Sequence, residues 1–162
     1  MKTKTLVVLS IGAALTTASA MTFASSRGDD RTIVGAWRTV VTIVNCQTGQ
    51  PVGAPPVIGL STFNLGGTMS EWGVGPGASP AQRSPSHGVW QRDRGWQDYS
   101  FSFVFYRYDS SGAFIGSQKV DADAMLAASG DRYTSIAAIE ILDPSNNIVA
   151  KGCATSVGTR FE

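Results

Sequence analysis

The stretch from Ile33 to Cys46 constrains the fold of this chain more than any other part of the sequence. It is rich in Val, Ile and Thr, and its side chains alternate, with Trp37 in one series and Arg38 in the other. Branched side chains at this density favour a strand over a helix, because they pack well on a pleated surface. The stretch therefore predicts a long first strand that carries Trp37 in a Gly-x-Trp setting and ends near Cys46.

Cys46 has one available partner, because Cys153 is the only other cysteine in the chain. Two cysteines in an exported chain usually pair. The loop-entropy model credits the closure of about a hundred residues with about 4.7 kcal/mol. The alternative is two free thiols with a redox or metal role, but the sequence has neither a C-x-x-C spacing nor histidines close to them. A Cys46–Cys153 disulfide that pins the first strand to the last is therefore predicted.

The N-terminus has the pattern of a secretory signal peptide. Lys2 and Lys4 precede an apolar run, Leu6 to Leu15, and Ala18-Ser19-Ala20 offers a small-x-small cleavage site. The alternative is a retained membrane anchor, which the shortness of the run disfavours because a spanning helix needs about 20 apolar residues. We expect residues 1–20 to be removed and the protein to be exported to the periplasm or the extracellular space, with no membrane span.

Charge and length limit the partners and the number of domains. Without Lys2 and Lys4 the 13 basic residues fall to 11, against 12 acidic ones. This balance argues against nucleic acid or an anionic membrane as a partner, because both require a basic face. The polar stretch 21–32 is predicted to be a flexible lead-in, and residues 33–162 suit a single domain.

Seven further alternating runs follow the first strand, and no helical periodicity is sustained after the signal peptide. They predict strands at Val57–Leu65, Thr68–Val74, His87–Asp93, Gln97–Tyr108, Ala113–Leu126, Arg132–Leu142 and Asn147–Phe161. Only Ala122–Ala128 is also compatible with a helical turn. The Pro- and Gly-rich segment between the third and fourth strands is predicted to be a long loop, and loops of that length often have a function. The prediction is an all-β fold, an eight-stranded antiparallel up-and-down barrel whose closure removes exposed edges.

A family resemblance supports this architecture. Gly35-Ala36-Trp37 in the first strand and Arg160 in the last resemble the lipocalins and the wider calycin barrels. In that family the Trp lies at the closed end and the Arg packs across it, which implies a cation–π contact of about 1–2 kcal/mol between Arg160 and Trp37. The resemblance also implies that the barrel carries a ligand. The segments 82–90 and 152–155 are similar to small exported bacterial proteins of uncharacterised function, a likeness that implies a location without a mechanism.

Three polar residues are the candidates for chemistry. His87 is the only histidine, and together with Glu71 and Arg107 it could perform general acid–base work at a barrel mouth. The alternative is a histidine that caps a strand beside a Glu–Arg pair that satisfies itself. Asp121 and Asp123 share a face, but solvation of the strand surface explains them more simply than a metal does. No metal site and no cofactor are predicted.

Aromatic residues provide the candidate ligand-binding set. Trp90, Phe101, Phe103 and Phe105 are predicted to line a cup, although such a stripe is more often plain core. The preferred hypothesis is a module that binds a small apolar or amphipathic molecule. The alternatives are a barrel enzyme of the lyase, isomerase or cyclase type that uses Glu71 and His87, and a packed barrel that acts through its surface.

Overall fold

Eight antiparallel strands carry the alternating side chains of this chain, and the 3₁₀ helix Pro80–Gln82 is the only helical element in residues 31–161. The computed structural model describes these residues, 31–161. The strands are β1 (Gly35–Val44), β2 (Val57–Phe63), β3 (Thr68–Val74), β4 (Ser86–Arg92), β5 (Asp98–Tyr108), β6 (Phe114–Leu126), β7 (Arg132–Leu142) and β8 (Ile148–Arg160). Each begins and ends within one or two residues of its predicted bounds.

The sheet closes on itself. Every strand pairs with its sequence neighbours, and β1 pairs with β8 from Trp37 opposite Arg160 to Val44 opposite Cys153. This confirms the predicted eight-stranded antiparallel up-and-down barrel. The stretch Ala122–Ala128, which is also compatible with a helical turn, is strand as far as Leu126, where β6 ends, and its last two residues lead into the turn before β7. Closure pairs every strand on both sides and leaves no edge to template aggregation.

Two of the predicted segments lie outside the described residues. These are the signal peptide, 1–20, and the lead-in, 21–32, apart from its last two residues, Arg31 and Thr32. Within residues 31–161 no helix has the length and the apolar character needed to cross a membrane.

One end of the barrel is sealed around Trp37. Its side chain is fully buried, and the indole N–H donates a 2.8 Å hydrogen bond to the carbonyl of Ile33. The guanidinium carbon of Arg160 lies 4.2 Å from the centre of the Trp37 ring. Arg160 also donates hydrogen bonds to the carbonyls of Thr32, Val34 and Gly130. The contact implied by the calycin resemblance is therefore present, and the segment before β1 covers this closed end.

The two cysteines are bonded, as predicted. Cys46 and Cys153 are 107 positions apart in sequence, and their Cα atoms are 5.2 Å apart. Cys153 lies opposite Val44, the last residue of β1. The disulfide therefore holds the seam between the first and last strands at the end of the barrel away from Trp37.

The half of the barrel next to the closed end is filled by aromatic side chains. The ring of Phe63 makes edge contacts with Phe101 at 5.4 Å and with Tyr133 at 5.9 Å, and Tyr133 meets Trp37 at 5.0 Å. Gly158 makes room for this cluster, since a Cβ there would fall 2.0 Å from the ring of Tyr133. Edge-to-face packing of this kind adds to simple burial. The closed half is therefore a core.

Candidate ligand-binding cavity

The other half of the barrel interior contains a cavity. Its volume is about 330 Å³, which is at the lower limit of small-molecule sites. Its walls come from side chains of β1, β2, β3, β5 and β6, and the 3₁₀ helix and the residues around it lie across one side of the mouth. Its apolar lining consists mainly of Val41, Ile43, Val57, Val74, Phe103 and Phe105. The mouth lies at the ends of the strands opposite Trp37.

One ion pair lies in this apolar wall. The Nη2 atom of Arg83 is 2.6 Å from Oε2 of Glu71, and the two side chains are only 14% and 12% exposed. The same carboxylate oxygen accepts a 3.1 Å hydrogen bond from the hydroxyl of Ser86, which is fully buried. A pair shielded from water to this degree interacts more strongly than one on the surface, because solvent screens it less.

Arg83 also ties the long loop to the barrel. Its Nη1 donates a 2.7 Å hydrogen bond to the carbonyl of Gly73, and its guanidinium lies 3.7 Å from the ring centre of Phe105. Ser84 pairs with the backbone of Tyr106 on β5. Just before Arg83, the hydroxyl of Ser79 caps the 3₁₀ helix while the side chain of Gln82 reaches back to the amide of Ser79. The loop is therefore ordered by its own capping box and by the ion pair with Glu71.

A layer of hydroxyl groups separates the cavity from the aromatic core. The hydroxyls of Ser135 and Ser156 are 2.6 Å apart, and Ser61 lies buried in the same layer. Burial raises the pKa of Tyr133 to about 12, and the negative charge of Glu71 adds to this effect, whereas hydrogen bonds from Ser61 and Ser156 oppose it. Tyr133 is therefore a neutral phenol at physiological pH and can serve as a hydrogen-bond donor within this layer.

The predicted aromatic set divides between the two halves of the interior. Phe103 and Phe105 line the cavity. Phe101 is buried against Phe63, and Trp90 also packs against Phe63 and donates from its indole N–H to the carbonyl of Asn64. Two of the four side chains thus face the cavity, while Trp90 and Phe101 belong to the packed core beneath it.

The three polar candidates do not converge. Glu71 faces the cavity, whereas His87 is exposed and lies opposite Ser70 on the next strand, so it belongs to the outer face. Arg107 is half-buried at the mouth, where it forms an isolated backbone bridge with Arg83. Opposite residues in such a bridge share a side of the sheet, so Arg107 lies on the same side as Arg83. The residue that pairs with Glu71 is Arg83, which is not among the candidates from the sequence.

Two larger depressions, of about 650 and 680 Å³, lie on the outer wall of the barrel. They are bordered by outward side chains of several strands, including Asp123 and Ile136, and they follow the saddle shape of a twisted sheet. Within the part of the chain that the structure describes, neither holds an ion pair as shielded as that of Glu71 and Arg83. The interior cavity is the better candidate because its largely apolar walls surround a fixed ion pair.

Metal ligation has no support in residues 31–161, where no group of three or more His, Cys, Asp or Glu side chains is close enough to hold an ion. Asp121 instead pairs with Lys119 on the outer wall, at 2.9 Å.

No protein-family model matches this chain, and no curated protein matches it in sequence. The class that its fold and cavity define is that of a closed eight-stranded β-barrel with a half-filled interior. The likeness to lipocalins rests on that barrel and on the contact between Arg160 and Trp37, and it remains a resemblance.

Proposed function

We propose that this protein is an exported barrel that binds a small, largely apolar molecule in the open half of its interior. The observation that carries the proposal is the cavity of about 330 Å³, lined mainly by apolar side chains around one largely buried ion pair. A protein interior normally leaves few voids larger than a water molecule. A hollow of this size beside a well-packed aromatic core is therefore better explained by an occupant than by imperfect packing.

The size of the cavity limits the occupant. Since one water takes about 30 Å³ of liquid, the volume corresponds to a ligand of about ten non-hydrogen atoms. Molecules with longer chains would leave part of their length in the mouth.

Export is part of the proposal. It is supported by the predicted signal peptide, 1–20, and by the disulfide between Cys46 and Cys153, since such bonds persist in oxidising compartments.

A series of straight-chain alcohols from pentanol to tetradecanol tests the proposal, with binding measured by calorimetry. Each methylene that enters the cavity should contribute about 0.8 kcal/mol, which is roughly a fourfold gain in affinity. We expect the gain to stop once the chain fills the cavity. Absence of binding by every member of the series would refute the proposal.

A matched pair of variants locates the binding. Val41→Trp should fill the cavity and abolish the binding of octan-1-ol, because Val41 lines the wall. Val40→Trp is the control, since Val40 is the next residue of the same strand and is 42% exposed on the outer face. Equal loss of binding in both variants, or in neither, would place the bound alcohol outside the cavity.

A further inference from the structure

The charged groups of the cavity cancel each other. Among the described residues, 31–161, Glu71 and Arg83 are the only charged side chains in its lining, and they form an ion pair with each other. A charged ligand would therefore enter a site with no net counter-charge, where burial of an unpaired ion is costly. A ligand carboxylate would also stand next to the carboxylate of Glu71, and like charges in a shared site repel.

The hydrogen-bonding capacity of Arg83 is largely occupied. Its Nε, Nη1 and Nη2 atoms donate to the carbonyl of Ser84, the carbonyl of Gly73 and the carboxylate of Glu71, respectively. One face of the guanidinium is covered by the ring of Phe105. Arg83 is thus built into the wall, with three of its five N–H donors and one face of its guanidinium already used by the protein.

Glu71 keeps one acceptor. Its Oε2 receives the hydrogen bonds from Arg83 and Ser86, whereas Oε1 accepts none from the described residues. Oε1 lies beside Gly73, and a Cβ on that glycine would be 3.1 Å from it. Gly73 itself lines the cavity. A side chain at this position would crowd the unused carboxylate oxygen, so glycine leaves Oε1 uncovered on that side.

We propose that the ligand is a neutral amphipathic molecule with a hydrogen-bond donor, such as an alcohol, and that Oε1 of Glu71 accepts this hydrogen bond. The inference rests on the proposed function, since it names the class of ligand for the same cavity. A hydrogen bond to a charged acceptor is stronger than one between neutral groups, so a single donor suffices to orient the ligand.

Three compounds of similar size test the inference: octan-1-ol, heptyl methyl ether and octanoate. The ether matches the alcohol in size but has no donor. We expect the alcohol to bind at least tenfold more tightly than either of the others at pH 7. Equal affinity of the alcohol and the ether, with both lost in Val41→Trp, would overturn the inference and leave the proposed function intact.

Glu71→Gln tests the role of the carboxylate. The substitution removes the negative charge and gives the lining a net positive charge, so the affinity for octan-1-ol should fall about tenfold while the affinity for octanoate rises. Gln118→Met is the matched control, because Gln118 is the neutral polar residue on the opposite wall. It should leave the preference for the alcohol unchanged. If Gln118→Met removes that preference and Glu71→Gln does not, the wrong acceptor has been assigned.

Arg107 provides the competing outcome. It emerges at the mouth on the same side as Arg83, where it could pair with a ligand anion. Octanoate that binds more tightly than octan-1-ol, and that loses this advantage in Arg107→Gln, would overturn the inference in favour of an anionic ligand. Thermal unfolding of each variant shows whether a loss of binding reflects a loss of the fold.

Discussion

Replacement of Trp37 with alanine should destabilise the protein by about 4–5 kcal/mol, in the upper part of the range for buried aromatic residues. The side chain is fully buried, and it packs edge-on against Tyr133 at 5.0 Å. Its removal also leaves the carbonyl of Ile33 without the donor that it has at 2.8 Å. An unsatisfied buried acceptor adds about 1–3 kcal/mol, which is why the cost should lie above the middle of the range.

A double-mutant cycle isolates the cation–π part of this loss. Arg160→Met removes the guanidinium that lies 4.2 Å from the centre of the Trp37 ring, and it also removes three hydrogen bonds to backbone carbonyls. Only the interaction between the two side chains appears in the coupling energy, which should be about 1–2 kcal/mol. The assay is urea unfolding followed by circular dichroism, with equal slopes required across the four proteins.

Arg38 is the control for this cycle. It lies 5.1 Å from the ring centre of Phe161, but on the exposed face of the barrel. Arg38→Met should change the free energy of unfolding by less than about 1 kcal/mol. A cost of Trp37→Ala no greater than that of Arg38→Met would contradict the burial of Trp37. A coupling between Trp37 and Arg160 that is zero within error would contradict the cation–π contact.

Three further predictions concern stability. The double variant Cys46→Ser/Cys153→Ser should lose about 4–5 kcal/mol by the loop-entropy model; a loss below about 1 kcal/mol in urea unfolding would show that barrel closure already imposes that constraint. The pKa of Tyr133 is about 12 in the folded protein and 10.0 in the unfolded chain, so the neutral phenol contributes about 2–3 kcal/mol to the free energy of unfolding below pH 10. This contribution should be lost as the pH rises from 10 to 12, and in urea unfolding the loss should vanish in Tyr133→Phe. Gly158→Ala should cost about 1–3 kcal/mol or more, because the new methyl group would collide with the ring of Tyr133, and a neutral result in thermal unfolding would contradict that packing.

The strands and their order could be predicted from the sequence because one face of the barrel wall is buried and the other is exposed. Inward and outward side chains therefore alternate along every strand. The same rule shows why His87 and Trp90 cannot both face the interior. They are three positions apart on β4, so one must point inward and the other outward. Trp90 packs into the core, and His87 is therefore exposed. The alternation of side chains on β4 was therefore sufficient to predict that His87 faces outward if Trp90 faces inward.

The partner of Glu71 could not be found in this way. Arg83 lies nine residues after Val74, the last residue of β3. It belongs to a loop, where no alternation of side chains predicts whether a residue faces the interior or the solvent. Its placement depends on the capping box between Ser79 and Gln82, a local signal that is visible in the sequence as Ser-Pro-Ala-Gln. The division of the interior into a filled and a hollow half depends on the combined volumes of side chains that face each other across the barrel. The alternation within one strand does not predict those volumes.

Because β1 pairs with β8, the sheet is a closed ring in which every strand has a neighbour on both sides. Arg160 bonds to the carbonyl of Val34, 126 positions earlier, so the two ends of the barrel domain meet at one point on its closed end. Joining these ends with a short linker and cutting the chain in the exposed turn at Asp109–Gly112 should preserve all eight ladders, since circular permutation succeeds where termini are close and the new break is exposed. In such a permutant the disulfide would connect two strands that have become neighbours in sequence. The order in which the strands are synthesised would change, and the architecture would not.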